Sequence, residues 1–237
     1  MYEPGPLSRR RFLQAGIGLL TVSAMMPLRS VFADAPTPQN AISPQAALDR
    51  LMAGNARYAA NKLDVKDFAS GRAARAKAQH PIASILCCAD SRVAPELMFD
   101  QAPGDLFVVR VAGNYLNLDA LASLEYGVAM LGTPLVMVLG HSNCGAVKAA
   151  IEEIQSPKPL PGHIWDITDA VRPGIENIVK AGGDDLLEHA IDANVEYNVS
   201  RVASAQPIIA ETVKSGRVRV VGAEYGLATG KVRLVGG

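Results

Sequence analysis

The chain has 237 residues, with 23 Lys and Arg against 23 Asp and Glu, 49% hydrophobic and 19% charged, which is the composition of a globular protein rather than a disordered one. Balanced charge excludes a nucleic-acid binder, which needs a basic excess against phosphate, and no Lys/Arg cluster beyond the first dozen or so residues supplies one. Three cysteines, Cys87, Cys88 and Cys144, are too few for a disulfide-stapled scaffold and are candidates for chemistry instead.

The first segment reads as an address. Arg9, Arg10 and Arg11 precede an apolar run from Ala15 to Met26, and Val31-Phe32-Ala33 supplies small residues suited to cleavage. The run falls well short of the roughly 20 residues a spanning helix needs, so no permanent membrane span is expected. Ser8-Arg9-Arg10-Arg11-Phe12-Leu13 resembles the twin-arginine signal, a route for proteins exported already folded, which implies contact with the export machinery and a periplasmic location. Residues 1–33 are therefore expected to be a signal peptide, 34–43 a linker with Pro36 and Pro38, and 44–237 one domain. Cleavage after Ala33 would leave 19 basic and 22 acidic side chains.

Ser43-Pro44 has the form of an N-cap followed by Pro at the first helical position, and Ala47, Leu48, Leu51 and Met52 recur at helical spacing. Asp67 to Gln79 is a second helical candidate, ended by His80-Pro81. The pattern then changes to short apolar runs bounded by Gly, Pro and Asp: Ile82 to Cys87, Leu106 to Val111, Leu135 to Leu139 and Val218 to Val221. These predict buried strands. Helical stretches alternate with them, among them Leu118 to Leu131, Gly145 to Ile154 and Leu186 to Tyr197, so the expected fold is α/β with a central parallel sheet flanked by helices and an N-terminal helical arm. Lys231 to Val235 follows too closely for a crossover and is expected to be an added antiparallel edge strand. Ser156 to Gly174, with four prolines, is expected to be an ordered insertion or a mobile loop.

Two chemical clusters follow predicted strands: Cys88-Ala89-Asp90-Ser91-Arg92 and Gly140-His141-Ser142-Asn143-Cys144-Gly145. Both lie at carboxyl ends of parallel strands, the edge where open α/β sheets bind ligands. Two thiols and an imidazole suit zinc, and three protein ligands leave the open position of a catalytic site. Cys87 is a poor fourth ligand, because successive side chains on a strand face opposite ways. Two thiolates donate charge to zinc and weaken it as a Lewis acid, so help in managing the activated water is expected. Asp90 can accept its hydrogen while Arg92 grips the carboxylate bidentately; alternatively, Asp90 can close the site as a fourth ligand. Taken singly, Asp90-Ser91-Arg92 is equally a helix cap with a surface ion pair, and His141 a satisfied buried histidine. A serine hydrolase suggested by Gly140-His141-Ser142 fails, since a nucleophile elbow needs Gly where Cys144 stands.

At these residues the chain resembles the β-class carbonic anhydrases, whose signatures are Cys-x-Asp-Ser-Arg and His-x-x-Cys. The resemblance extends over roughly residues 44–235, including Gly54-Asn55-Ala56-Arg57-Tyr58, Gly104 to Asn114, Ser123 to Tyr126 and Val221 to Gly230. It implies reversible hydration of carbon dioxide to bicarbonate and a proton, with one zinc ion on Cys88, His141 and Cys144 and Asp90 and Arg92 as the dyad beside the metal-bound hydroxide. It further implies substrate contacts from Gln79, Phe107 and Tyr126, and a homodimer whose pocket is shared across the interface and whose N-terminal helices, here residues 44–79, embrace the partner. A hydrolase of carbon disulfide or carbonyl sulfide on the same scaffold, and a non-catalytic bicarbonate- or zinc-binding protein, remain as alternatives. His163 and His189 have no matched role. His189 is expected at the surface, and His163 is a candidate proton shuttle.

Overall fold

The computed structural model describes residues 39–236; the expected signal peptide and the linker as far as residue 38 lie outside them. The first helix, α1 (Pro44–Ala59), starts as its sequence dictates, with Ser43 Oγ accepting from the Ala46 amide at 3.1 Å and Pro44 in the first turn. It buries Ala47, Leu48 and Leu51 against its own chain's sheet. The second predicted helix is reduced to one turn, α2 (Arg72–Arg75), preceded by Gly71 at φ 70°. None of α2 is buried, and without an apolar face to dock, the alanine content of this stretch cannot carry a helix through.

The sheet comprises β1 (Ala83–Cys87), β2 (Leu106–Arg110), β3 (Leu135–His141), β4 (Arg219–Tyr225) and β5 (Val232–Val235), in the order β2-β1-β3-β4-β5. All pairs are parallel except β4 with β5, the antiparallel edge. β1 and β3 are buried along their whole length, as their uninterrupted apolar runs require of strands covered on both faces. β4 runs four residues past its predicted end at Val221. Gly222 there faces Val195 and Val199 too closely for a side chain, and the buried Glu224 is neutralised by Arg233 at 3.0 Å.

Six helices complete the domain: α3 (Pro95–Met98), α4 (Leu118–Ala129), α5 (Gly145–Gln155), α6 (Ile164–Ala181), α7 (Leu186–Ala203) and α8 (Ile208–Lys214). The expected insertion at 156–174 is irregular only at its start. From Ile164 it is helical, and α6 continues through Pro173; the position four residues earlier, whose carbonyl loses its partner, is the exposed Asp169. Alternate strand residues sort the core into two faces. Ala83, Ile85, Cys87, Met137 and Leu139 pack with α1 and the α3 region, and Leu86, Val136 and Val138 with α4, α7 and α8.

The connection after β1 leads to Val93, Met98 and Phe99 on the α1 face, whereas the one after β3 leads to Val147, Ala150 and Ile151 of α5 on the other. Adjacent parallel strands whose connections leave toward opposite faces open a crevice between their carboxyl ends.

Gly54 lies where α1 crosses the α3 region, and a Cβ there would stand 1.8 Å from the Phe99 carbonyl oxygen. Helix propensity alone favours Ala over Gly by about 1 kcal/mol, but the contact reverses the sign. Gly54→Ala is expected to lower stability by about 1–3 kcal/mol, read as an earlier urea midpoint; a later midpoint would contradict this packing.

Candidate metal centre

Cys88 is the first residue after β1, His141 the last of β3, and Cys144 the N-cap of α5. Because β1 and β3 are neighbours, with Cys87 level with Leu139, the two motifs meet in the crevice. One donor atom from each of Cys88, His141 and Cys144 lies within 4.8 Å of the others, and all three residues are buried. Cys87 points the other way, into the α1 face, and burial pushes its thiol up to about 12. It stays a protonated core thiol, as strand alternation predicts.

The donor set fits zinc on observations internal to the site. His141 Nδ1 lies 3.0 Å from the Ser142 carbonyl oxygen, and since that oxygen can only accept, the proton sits on Nδ1 and leaves Nε2 a free donor pair. That Nε2 is buried without a hydrogen-bond partner among the described residues, a costly state that a metal ion would relieve. The two thiols divide one proton. Hydrogen bonding from Cys144, working against burial, draws Cys88 below the usual thiol range, and the same contact pushes Cys144 up. A divalent cation lets both be thiolates. The amides of Gly113 and Asp90 approach Cys88 Sγ at 3.3 and 3.4 Å, and those of Ala146 and Val147, in the first turn of α5, favour the thiolate of Cys144.

Asp90 and Arg92 are brought to the same place. Arg92 Nε donates to Asp90 Oδ1 at 2.9 Å and Nη2 to Oδ2 at 2.7 Å, and the Arg92 amide adds a third bond at 2.9 Å. The Arg92 fork holds the Asp90 carboxyl well below the usual carboxylate range. Its Oδ2 lies 3.9 Å from His141 Nε2, beside the space the three donors face. Arg110, which lies in the Gly104 to Asn114 stretch of the resemblance but is given no role there, completes the arrangement: its Nε donates to the Cys88 carbonyl at 3.1 Å and its Nη2 to that of Asp90 at 2.7 Å. Gly113, in the same stretch, likewise has no role assigned to it, and Asn194 and Asn198 carry no sequence signal.

The remaining expected site residues are not gathered around the donors within one chain. Phe107 and Tyr126 form a tilted aromatic pair with centroids 6.1 Å apart. Phe107 is level with Ser84 at the far end of β1, roughly 13 Å from Cys88 at about 3.3 Å per residue. Gln79 is exposed in the segment before β1, as are His163 and His189 on the surface. His163 Nδ1 pairs with Asp166 Oδ2 at 3.1 Å.

The family model for carbonic anhydrase matches residues 83–232, from β1 to the start of β5. The chain belongs to the β-class carbonic anhydrase family. It is 39% identical over 193 residues to a carbonic anhydrase of Mycolicibacterium smegmatis, covering 81% of this chain and 93% of that protein. Carbonic anhydrase 2 of Mycobacterium tuberculosis is 36% identical with the same coverage. Among solved structures, a Coccomyxa β-carbonic anhydrase in complex with acetazolamide aligns at a TM-score of 0.62 and 31% identity, over 80% of this chain and 82% of that one.

Metal analysis of purified variants checks the donor assignment. Cys88→Ser and His141→Ala are expected to lose zinc, while Cys87→Ser keeps one ion per chain. Loss of zinc from Cys87→Ser would move the site to the wrong face of β1.

Proposed function

We propose that the chain catalyses the reversible hydration of carbon dioxide to bicarbonate and a proton, with zinc held by Cys88, His141 and Cys144 and with Asp90 and Arg92 as the catalytic dyad. The observation that carries this reading is the Asp90 carboxylate, gripped on both oxygens by Arg92 and 3.9 Å from the unpartnered His141 Nε2. Bound there, zinc supplies the Lewis acidity that activates a water near neutral pH. Asp90 Oδ2, the carboxylate oxygen nearest His141 Nε2, would accept a hydrogen from a water beside the three donors and so orient that water toward the carbon. Arg92 keeps Asp90 ionised and oriented, and its own half-exposed position lets the dyad sit at the mouth of the crevice rather than in the core. His141, Cys88 and Cys144 are held rigid by β1, β3 and α5, so little reorganisation accompanies turnover.

Carbon dioxide is small and neutral and calls for an apolar slot with one or two donors. Phe107, Tyr126 and Gln79 have that chemistry but lie away from the donors of their own chain. In this reading a second copy contributes them, which makes a homodimer the working unit. Arg9 and Arg10 direct the folded, zinc-loaded protein to the twin-arginine machinery, and loading before export protects Cys88 and Cys144 from oxidation in the periplasm. Replacing both arginines with Lys is expected to leave the protein in the cytoplasmic fraction; unchanged periplasmic recovery would overturn the export reading.

Stopped-flow hydration on protein of measured zinc content tests the activity. Wild type is expected to turn over rapidly, and Asp90→Asn to retain full zinc while losing about 10²- to 10³-fold in kcat/KM. A zinc-replete wild type without turnover between pH 6.5 and 9 would favour the sulfur analogues of carbon dioxide as substrates.

A further inference from the structure

Two asparagines interrupt the buried face of α7. Asn194 and Asn198 lie among Ile191, Val195 and Val202, on a helix face otherwise devoted to apolar packing. Burying two amides there costs stability unless every polar atom is used, and the partners they find are specific. Asn198 Nδ2 donates to the Asn194 carbonyl at 2.8 Å and to Asn194 Oδ1 at 3.1 Å, and Asn198 Oδ1 accepts the Leu116 amide at 2.8 Å. Asn194 Nδ2 donates to the Gly113 carbonyl at 2.9 Å. Gly113, at φ 85°, in turn directs its amide onto Cys88 Sγ at 3.3 Å. The row of bonds thus runs from the middle of α7 to a sulfur of the metal centre.

We propose that Asn194 is a positioning residue for the metal centre: by anchoring the Gly113 carbonyl it restrains the backbone torsions of Gly113, and so aims the N–H on the other side of the same Cα at the Cys88 sulfur and sets how much charge the thiolate gives to the metal. The need follows from the donor set. Two thiolates make a bound ion a weak Lewis acid, and a hydrogen bond to a thiolate withdraws part of the donated charge while holding the sulfur in place. Asn198 fixes which way the Asn194 amide faces, since its Nδ2 can pair only with the oxygen and leaves the Asn194 Nδ2 toward Gly113. Surrounding packing holds Gly113 close: a Cβ there would stand 3.0 Å from Val171 and 3.1 Å from Ala146. With the Cα boxed in, the freedom left to Gly113 is torsion on either side of it, the motion that the Asn194 bond to its carbonyl restrains.

This inference rests on the metal assignment above, and cobalt substitution separates the two. The full chain would be loaded with cobalt(II), and its sulfur-to-cobalt charge-transfer band and its rate of metal loss to a chelator compared between wild type, Asn194→Ala and Asn198→Ala. Losing the N–H bond leaves the sulfur easier to oxidise, so Asn194→Ala is expected to move the band to longer wavelength and to weaken metal retention by about 10- to 100-fold. Asn198→Ala, which leaves Asn194 in place but unoriented, shifts both in the same direction by less and serves if Asn194→Ala fails to fold. A cadmium-113-loaded wild type gives an independent reading, a scalar coupling between the metal and the Gly113 amide proton through Cys88 Sγ. Folded variants with an unchanged band and unchanged retention, or a wild type without that coupling, would overturn the proposal. A wild type that takes up no cobalt would instead overturn the metal assignment.

Discussion

Two thiols and an imidazole packed within 4.8 Å of one another in the core cannot settle their charges alone, and much of the structure around them serves that problem. Without a cation, Cys88 and Cys144 compete for one negative charge and the His141 Nε2 is stranded away from water. A divalent ion resolves all three demands at once, which ties the metal to the stability of the core as well as to chemistry. The cluster exists because β1 and β3 are neighbours whose connections leave to opposite faces, so the first residue beyond one strand and the last of the other share a crevice.

Around the donors, rigidity is built from backbone as much as from side chains. Arg110 on β2 holds the carbonyls of Cys88 and Asp90, Gly113 and Asp90 present amides to the Cys88 sulfur, and the Ser142 carbonyl sets the His141 tautomer. Asp90 is left with one orientation, fixed by the Arg92 fork, close to the donors and still partly open to solvent. The carboxylate is thus held at a defined place beside the donors, at the carboxyl end of the sheet.

The strands are legible because each holds a short, mainly apolar run bounded by Gly, Pro or Asp, and Cys88, Asp90, Arg92, His141 and Cys144 stand out because their spacing places them at strand ends. What escaped notice depends on pairing across the fold. β4 continues through Gly222 and Glu224, residues that end an apolar run in sequence but are accommodated by Val195 and Arg233 in space. The alanine-rich stretch after Asp67 reads as helical yet buries no residue of α2 within its own chain, and Pro173 reads as a loop residue yet sits inside α6 on a turn that faces solvent. Arg110 falls in a stretch similar to the family but with no role attached to it, and Asn194 and Asn198 carry no local signature. Their partners are main-chain atoms about 20 to 80 residues away, at Cys88, Asp90, Gly113 and Leu116, and no short pattern encodes that.

X-ray absorption at the zinc edge of the purified protein tests the central claim most directly. The account predicts two sulfur scatterers at about 2.3 Å and two lighter nitrogen or oxygen scatterers at about 2.0–2.2 Å, one imidazole among them. Three or more sulfurs, which would draw Cys87 out of the opposite face of β1 or a thiol from another chain into the shell, would contradict it.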